Sequence, residues 1–116
     1  MTQDSPILSL RIDFPNGLRF GPGKATLLEV LLDSGSISAA ARQLNMSYPR
    51  ALKLIEQMNE TFSEPIVQTQ TGGPDGGGAQ VTEMGRLVLS MYKEICRGAN
   101  DNNHASLKAF NRFLKK

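Results

Sequence analysis

The segment from residue 36 to residue 58 constrains the fold of this 116-residue chain more than any other. Two short helical patterns meet there at a tight break. The first is alanine-rich, and the second opens with polar and basic side chains before its apolar stripe of Ala51, Ile55, Met58 and Phe62. A support helix, a short turn and a second helix with an exposed N-terminal end make a helix-turn-helix, which can place that end in a major groove. The pattern therefore predicts sequence-specific binding to double-stranded DNA.

Overall composition fits one small domain. The chain is 40% hydrophobic and carries a formal net charge of +2. Non-specific affinity for DNA comes from neutralising phosphates, so this weak charge predicts a focused basic patch or a dimer that doubles it. A small core also gains from dimerisation, because limited burial leaves a limited stability margin.

Neither a disulfide nor a membrane segment is expected. Cys96 is the single cysteine, and its place in an apolar helical pattern predicts a core residue. Met1–Pro6 has an acid and no basic residue, unlike a signal peptide. No apolar run approaches the roughly 20 residues that a membrane helix needs. These observations predict a cytoplasmic protein without a membrane partner.

The N-terminal third predicts a hairpin and a helix. Apolar and polar residues alternate from Ile7 to Phe14, Pro15-Asn16-Gly17 is a turn signal, and alternation resumes at Leu18-Arg19-Phe20. A strongly apolar helix is predicted over Lys24–Asp33, and Gly35 is placed to end it.

The helix-turn-helix has clear boundary signals. Ser36 or Ser38 can cap the support helix, which is expected to end near Leu44. After the turn, Ser47 is expected to cap the next helix, which tolerates a proline in its first turn and runs to about Phe62.

A wing and a further helix are predicted to follow. Strands at Ile66–Thr69 and Ala79–Val81 enclose the glycine-rich loop Thr71–Gly78. Thr82 then opens a fourth helix, whose one face carries Met84, Leu87, Val88, Met91 and Ile95. Asn100–Asn103 is interpreted as a polar linker before a short amphipathic segment.

The predicted fold class is mainly α with small β content: a winged helix-turn-helix with an N-terminal β-hairpin and a two-stranded wing. Residues 1–98 are expected to form the DNA-binding and dimerisation domain. Residues 99–116 are expected to be a polar linker and a short basic amphipathic segment.

The helix after the turn carries the candidate DNA-reading residues. Arg50, Lys53 and Gln57 recur at i, i+3 and i+7, away from the apolar stripe, and guanidinium and amide groups read base edges. Ser47, Tyr48 and Arg42 are predicted to hold the DNA backbone. An ordinary amphipathic helix with a solvated polar face remains the alternative interpretation.

No pattern predicts catalysis, a metal or a cofactor. A nucleotide-binding glycine loop needs a helix directly after it and usually a lysine, whereas Thr71–Gly78 has no lysine and precedes a predicted strand. Gly23-Lys24 lacks the rest of a P-loop. His104 has no cysteine or acidic cluster at ligand spacing, and no base lies beside a nucleophile. An enzyme is therefore not expected.

Several blocks resemble a known family. Residues 35–41 (GSISAAA), 46–48 (MSY), 71–73 (TGG) and 81–85 (VTEMG) occur in order. Together with Phe20-Gly21-Pro22-Gly23-Lys24, they are similar to the N-terminal DNA-binding domain of molybdate-dependent transcriptional regulators, the ModE family. LysR-type regulators are a looser match, because they share the first block but not the long glycine loop.

The resemblance implies a bacterial regulator that binds a palindromic operator as a homodimer, with dimer contacts from the first and last helices of the domain. It also implies molybdate sensing by a separate C-terminal module. These residues carry no oxyanion-binding motif, so molybdate binding is not expected of them.

Two departures from the family pattern affect the predicted interface. Pro49 and Leu52 stand where the family usually has a basic residue and a tryptophan. Pro74-Asp75 replaces the usual lysine of the glycine loop, which leaves backbone amides, such as those of Gly73 and Gly76, to approach phosphate. The acidic loop and low net charge keep a second hypothesis open, a protein-interaction module on a winged-helix scaffold without DNA binding.

Overall fold

The computed structural model describes residues 5–70 and 78–115. Its two strand pairs form separate antiparallel hairpins, β1–β2 and β3–β4, among mainly helical elements. In chain order the elements are β1 (Ile12–Asp13), β2 (Arg19–Phe20), α1 (Pro22–Ser34), α2 (Ile37–Gln43), α3 (Tyr48–Thr61), β3 (Val67–Thr69), β4 (Ala79–Val81), α4 (Glu83–Asn102), α5 (His104–Ala109) and a 3-10 turn (Phe110–Arg112). The predicted winged helix with a small N-terminal hairpin is confirmed.

The N-terminal hairpin turns where its sequence predicts. The Gly17 amide donates to the Phe14 carbonyl at 3.0 Å, and Gly17 takes a positive φ of 88°. The Asn16 side-chain oxygen accepts from the Leu18 amide at 3.0 Å. The ladder is shorter than the predicted strand, although alternate residues before it still turn toward the protein.

Local capping signals set the helix boundaries. Gly35 ends α1 in the left-handed region at φ 65°, and its amide donates to the Leu31 carbonyl at 2.9 Å. Ser36 caps α2 by accepting from the Ala39 amide, and Ser47 caps α3 by accepting from the Arg50 amide, both at 3.2 Å.

The core lies where α1, α2 and α3 meet the wing and α4. Its largest fully buried side chains are Phe20, Leu27, Leu28, Leu31, Ile55, Met58, Ile66 and Val67. Tyr92 packs edge-on against Phe20, with ring centroids 5.1 Å apart, and its hydroxyl donates to the Leu10 carbonyl at 2.6 Å. Burial and the neighbouring Cys96 thiol raise the pKa of Tyr92 to about 12.

The predicted linker at Asn100–Asn103 is wrong, because α4 continues to Asn102. The Asn100 side chain accepts from the Leu8 amide at 2.7 Å and donates to the Leu8 carbonyl at 3.2 Å. It also donates to the Cys96 carbonyl at 2.8 Å. A polar side chain that looked like linker composition therefore ties the N-terminal extended segment to α4. The division of the chain at residue 98 remains a prediction.

The apolar face predicted for α4 is only partly buried. Gly85, Leu89 and Tyr92 face the core. Met84 and Val88 are half-buried, whereas Leu87, Met91 and Ile95 are 54%, 55% and 49% exposed. Cys96 is half-buried against the core rather than enclosed in it. An apolar stripe therefore runs along the outside of α4.

The close approach of α4 to the wing gives a stability prediction. A Cβ atom on Gly85 would stand 2.5 Å from the Ile66 carbonyl oxygen and 2.7 Å from Val81 Cγ1. We expect Gly85→Ala to lower the free energy of unfolding by about 1–3 kcal/mol, the usual cost of overpacking. Urea denaturation measures this change.

Gly98→Ala is the matched control on the same helix, because nothing lies within 4 Å of its added Cβ. This variant should stabilise the protein by roughly 0.5–1 kcal/mol through helix propensity. Equal effects of the two substitutions would contradict the packing described at Gly85.

Candidate nucleic-acid interface

Small side chains bring α2 and α3 together. Ala40 and Ala51 are completely buried, and Ala41 is 3% exposed. Between the helices, Asn45 takes a positive φ of 55°, and the Met46 amide donates to the Ala41 carbonyl at 2.9 Å. The short turn holds α3 against its support helix and leaves the opposite side of α3 to solvent.

The structure separates the two predicted faces of α3. Ala51, Ile55 and Met58 are buried. Arg50 and Lys53 are exposed, and Gln57 is half-buried. These three predicted reading residues thus lie outside the core, and their contact with DNA remains a prediction.

The predicted backbone-binding residues gather near the start of α3. Ser47 and Tyr48 stand at its N-terminal end, with Tyr48 46% exposed. Arg42 is exposed in the last turn of α2. The Ser47 oxygen accepts a bond from α3, so its hydroxyl proton is still available to donate to a phosphate. The positive end of the helix dipole favours an anion at the same place.

Two acids on α3 also shape its outward face, although the sequence-based prediction did not include them. Glu56 and Glu60 are exposed and follow Lys53 at helical spacing of three and seven residues. This spacing could have revealed them. The outward face of α3 is therefore cationic in its first half and anionic in its second, which favours approach to phosphates at the N-terminal end only.

Asn59 joins the wing to α3 by hydrogen bonds, in addition to the shared core. The Asn59 oxygen accepts from the Ile66 amide at 2.7 Å and from the Val67 amide at 3.1 Å. Its nitrogen donates to the Val67 carbonyl at 3.0 Å. Asn59 thereby sets the position of β3 relative to the candidate reading helix, a role that the sequence did not suggest.

The wing strands are polar but uncharged on their exposed side. Gln68, Thr69, Gln70 and Gln80 are exposed there. The register pairs Val67 with Val81 and Thr69 with Ala79. The predicted phosphate contacts Gly73 and Gly76 lie outside the described residues.

We also searched the described residues for metal-binding clusters and for membrane-spanning helices. Across residues 5–70 and 78–115, no three His, Cys, Asp or Glu side chains come together in a way that could hold a metal ion. None of the helices in these ranges is long and apolar enough to cross a bilayer.

Comparison with known proteins identifies the helix-turn-helix region. Residues 24–86, from α1 into α4, match the profile of the bacterial regulatory helix-turn-helix proteins of the LysR family. The matched region contains both helices of the predicted motif, and the strands of the wing.

Curated relatives extend this similarity. The molybdenum transport protein ModE of Azotobacter vinelandii is 34% identical over 95 residues, which cover 82% of this chain and 35% of the relative. The molybdenum-pterin-binding protein MopB of Rhodobacter capsulatus is 38% identical over 82 residues, or 71% of this chain and 30% of the relative. The DNA-binding transcriptional dual regulator ModE of Escherichia coli K12 is 37% identical over 71 residues, or 61% and 27%.

The chain spans about a third of the length of these relatives. The profile match covers more than half of the chain. Its regulatory helix-turn-helix is homologous to that of ModE proteins. The predicted likeness to the N-terminal helix-turn-helix domain of ModE regulators is therefore confirmed. The chain belongs to the bacterial regulatory helix-turn-helix proteins of the LysR family.

Proposed function

We propose that this chain is a transcriptional regulator that binds a palindromic operator as a homodimer in the bacterial cytoplasm. The exposed, cationic first half of α3 on a helix-turn-helix frame is the observation that carries the proposal. Such a helix end enters the major groove, while the helix before it crosses the backbone.

The charges on α3 define how the helix would lie on DNA. Arg50 and Lys53 would meet base edges or flanking phosphates near the start of the helix, and Gln57 would lie deeper along it. Glu56 and Glu60 would be held away from the phosphates by repulsion. The helix should therefore enter the groove by its N-terminal half rather than lie flat along it.

The name of one relative supports DNA binding, whereas the names of others refer to molybdenum. The Escherichia coli relative is a DNA-binding regulator by name, and the matched region of this chain includes its helix-turn-helix. Other relatives are named for molybdenum transport or molybdenum–pterin binding. Our proposal for this chain concerns DNA alone.

If α3 binds DNA as proposed, combining Arg50→Ala with Lys53→Ala should weaken DNA binding and make it less dependent on salt. On a duplex selected from random sequences, this pair should lose about tenfold or more in affinity, since each good base contact contributes roughly 1–3 kcal/mol. The slope of log affinity against log salt should also become shallower, because the variant neutralises fewer phosphates. Fluorescence anisotropy over a range of salt concentrations measures both quantities.

Lys108→Ala with Arg112→Ala is the control, because it removes the same two positive charges from exposed residues of the C-terminal segment, outside α3. It should leave affinity nearly unchanged. If both double variants lost the same affinity for DNA, the loss would come from net charge alone and not from contacts made by α3. A wild-type chain that binds no DNA at low salt would favour the protein-interaction module instead.

For the homodimer we propose the outer stripe of α4 as the interface. Leu87, Met91 and Ile95 recur every four residues and are about half exposed. Beside them an apolar groove of about 80 Å³ includes Phe14 and Phe62 in its lining. A contiguous apolar surface of this kind marks an interaction site, and a two-fold axis would bring the same stripe from each subunit together.

The resemblance implies that α1 shares the dimer contacts with α4, but the surface of α1 differs in character from that of α4. Leu32, the exposed large apolar residue of α1, borders another groove with Arg86, Lys93 and Arg97 of α4. This flank is charged, and Lys93 pairs there with Glu29 at 3.4 Å. We therefore expect α4 to supply the apolar contact and α1 to supply polar contacts at its edge.

Met91→Lys tests the interface. A charge in the middle of the stripe should convert the dimer to a monomer in sedimentation equilibrium, because burying an unpaired ammonium is costly. Leu32→Lys, the matched control on the charged flank, should remain dimeric. A wild-type chain that is monomeric at micromolar concentration, or a dimeric Met91→Lys, would refute this interface.

A further inference from the structure

A second set of cations lies beside the N-terminal end of α3. Arg11, Arg19, Lys24 and Arg50 line one open groove of about 230 Å³, together with Gly21, Pro22, Gly23, Met46 and Leu54. The four cations come from the N-terminal hairpin, α1 and α3. No acidic side chain belongs to this lining. Outside this lining, Asp13 pairs with Arg11 at 2.9 Å in an exposed ion pair, which holds the arginine only weakly.

Packing holds these cations close to one another. The Arg11 side chain runs beside Gly21, where an added Cβ would be in ordinary van der Waals contact, 3.5 Å from Arg11 Cγ. The Lys24 ammonium donates to the Arg19 carbonyl at 2.7 Å, which ties it to β2. Burial and the charge of Arg19 lower the pKa of Lys24. A bound anion would offset the repulsion between these like charges.

The wing provides a contrast with this hairpin. Residues 67–81 contain no lysine or arginine, and Asp75 is their one charged residue. The N-terminal hairpin, in contrast, carries Arg11 and Arg19 next to the reading helix. A cationic hairpin beside the start of α3 can meet the backbone strand that borders the major groove, where the wing has no cation to offer.

We propose that the groove lined by Arg11, Arg19, Lys24 and Arg50 binds a backbone phosphate of DNA next to the major groove entered by α3. The N-terminal hairpin then makes the electrostatic contact with the backbone that the uncharged wing strands do not make. This inference rests on the proposed DNA-binding function, because Arg50 belongs to both surfaces.

The test combines Arg11→Ala and Arg19→Ala in one chain, leaving Arg50 in place. The salt slope of DNA binding should become shallower by roughly 0.9 for each phosphate that a protomer no longer neutralises. Affinity should fall by the same factor for the selected duplex and for random duplexes, since a phosphate contact carries no sequence information.

Two control variants accompany this test. Arg11→Lys with Arg19→Lys should keep most of the wild-type salt slope, and Lys108→Ala with Arg112→Ala should keep all of it. Thermal melting of each variant checks that the hairpin still folds.

The possible outcomes separate this inference from the DNA-binding proposal. If Arg50→Ala with Lys53→Ala weakens binding while the hairpin variant keeps the wild-type slope, the inference is wrong and the DNA-binding proposal stands. A weakening confined to the selected duplex would overturn it as well, because the arginines would then read bases. A melting shift with inorganic phosphate that the hairpin variant does not show, without an effect on DNA binding, would assign the groove to a free anion and overturn it too. If the wild type binds no duplex, the DNA-binding proposal itself fails.

Discussion

The backbone at Ile66 is the junction on which the other parts of this domain depend. From one side, Asn59 of α3 binds the Ile66 and Val67 amides. From the other side, the Thr82 amide donates to the Ile66 carbonyl at 2.9 Å, and Gly85 of α4 leaves no room for a side chain against it. One short segment therefore fixes α3, the wing and α4 relative to one another. The candidate reading helix and the candidate dimer helix share this support, so the spacing of two reading helices in a dimer would depend on it.

Charged side chains are distributed unevenly over the surface formed by α3, the N-terminal hairpin and the wing. Cations lie at the start of α3 and along the N-terminal hairpin, whereas acids lie at the end of α3. The wing strands expose neutral amides and hydroxyls. Repulsion from Glu56 and Glu60 and attraction at Arg50 would orient DNA across the first turns of α3 toward the hairpin. A chain with a net charge of only +2 can bind DNA in this way if its cations are concentrated on one side.

Local signals in the sequence predicted the elements well. Gly35, Ser36, Ser47 and Thr82 end or begin helices as expected, because a cap requires only neighbouring backbone groups. Contacts between distant residues could not be predicted in this way. The polar composition of Asn100–Asn103 predicts a linker, and no local pattern indicates that Asn100 binds Leu8, which lies 92 positions away.

The candidate site shows the same division between local and distant information. The spacing of Arg50, Lys53 and Gln57 placed them outside the buried stripe of α3, as the structure has them. The approach of Arg11 and Arg19 to Arg50 depends on how the hairpin packs, and no local pattern indicates it. The apolar spacing on α4 likewise predicted a face, but only tertiary packing decides that part of this face stays exposed.

Amide chemical-shift mapping of the 116-residue chain, titrated with a selected duplex, tests most directly whether DNA meets the start of α3 and the N-terminal hairpin. We expect the largest changes over residues 47–53 and residues 19–24, with little change over residues 56–60 and over the wing strands. Changes centred on the wing, with the first half of α3 unaffected, would contradict this placement of DNA.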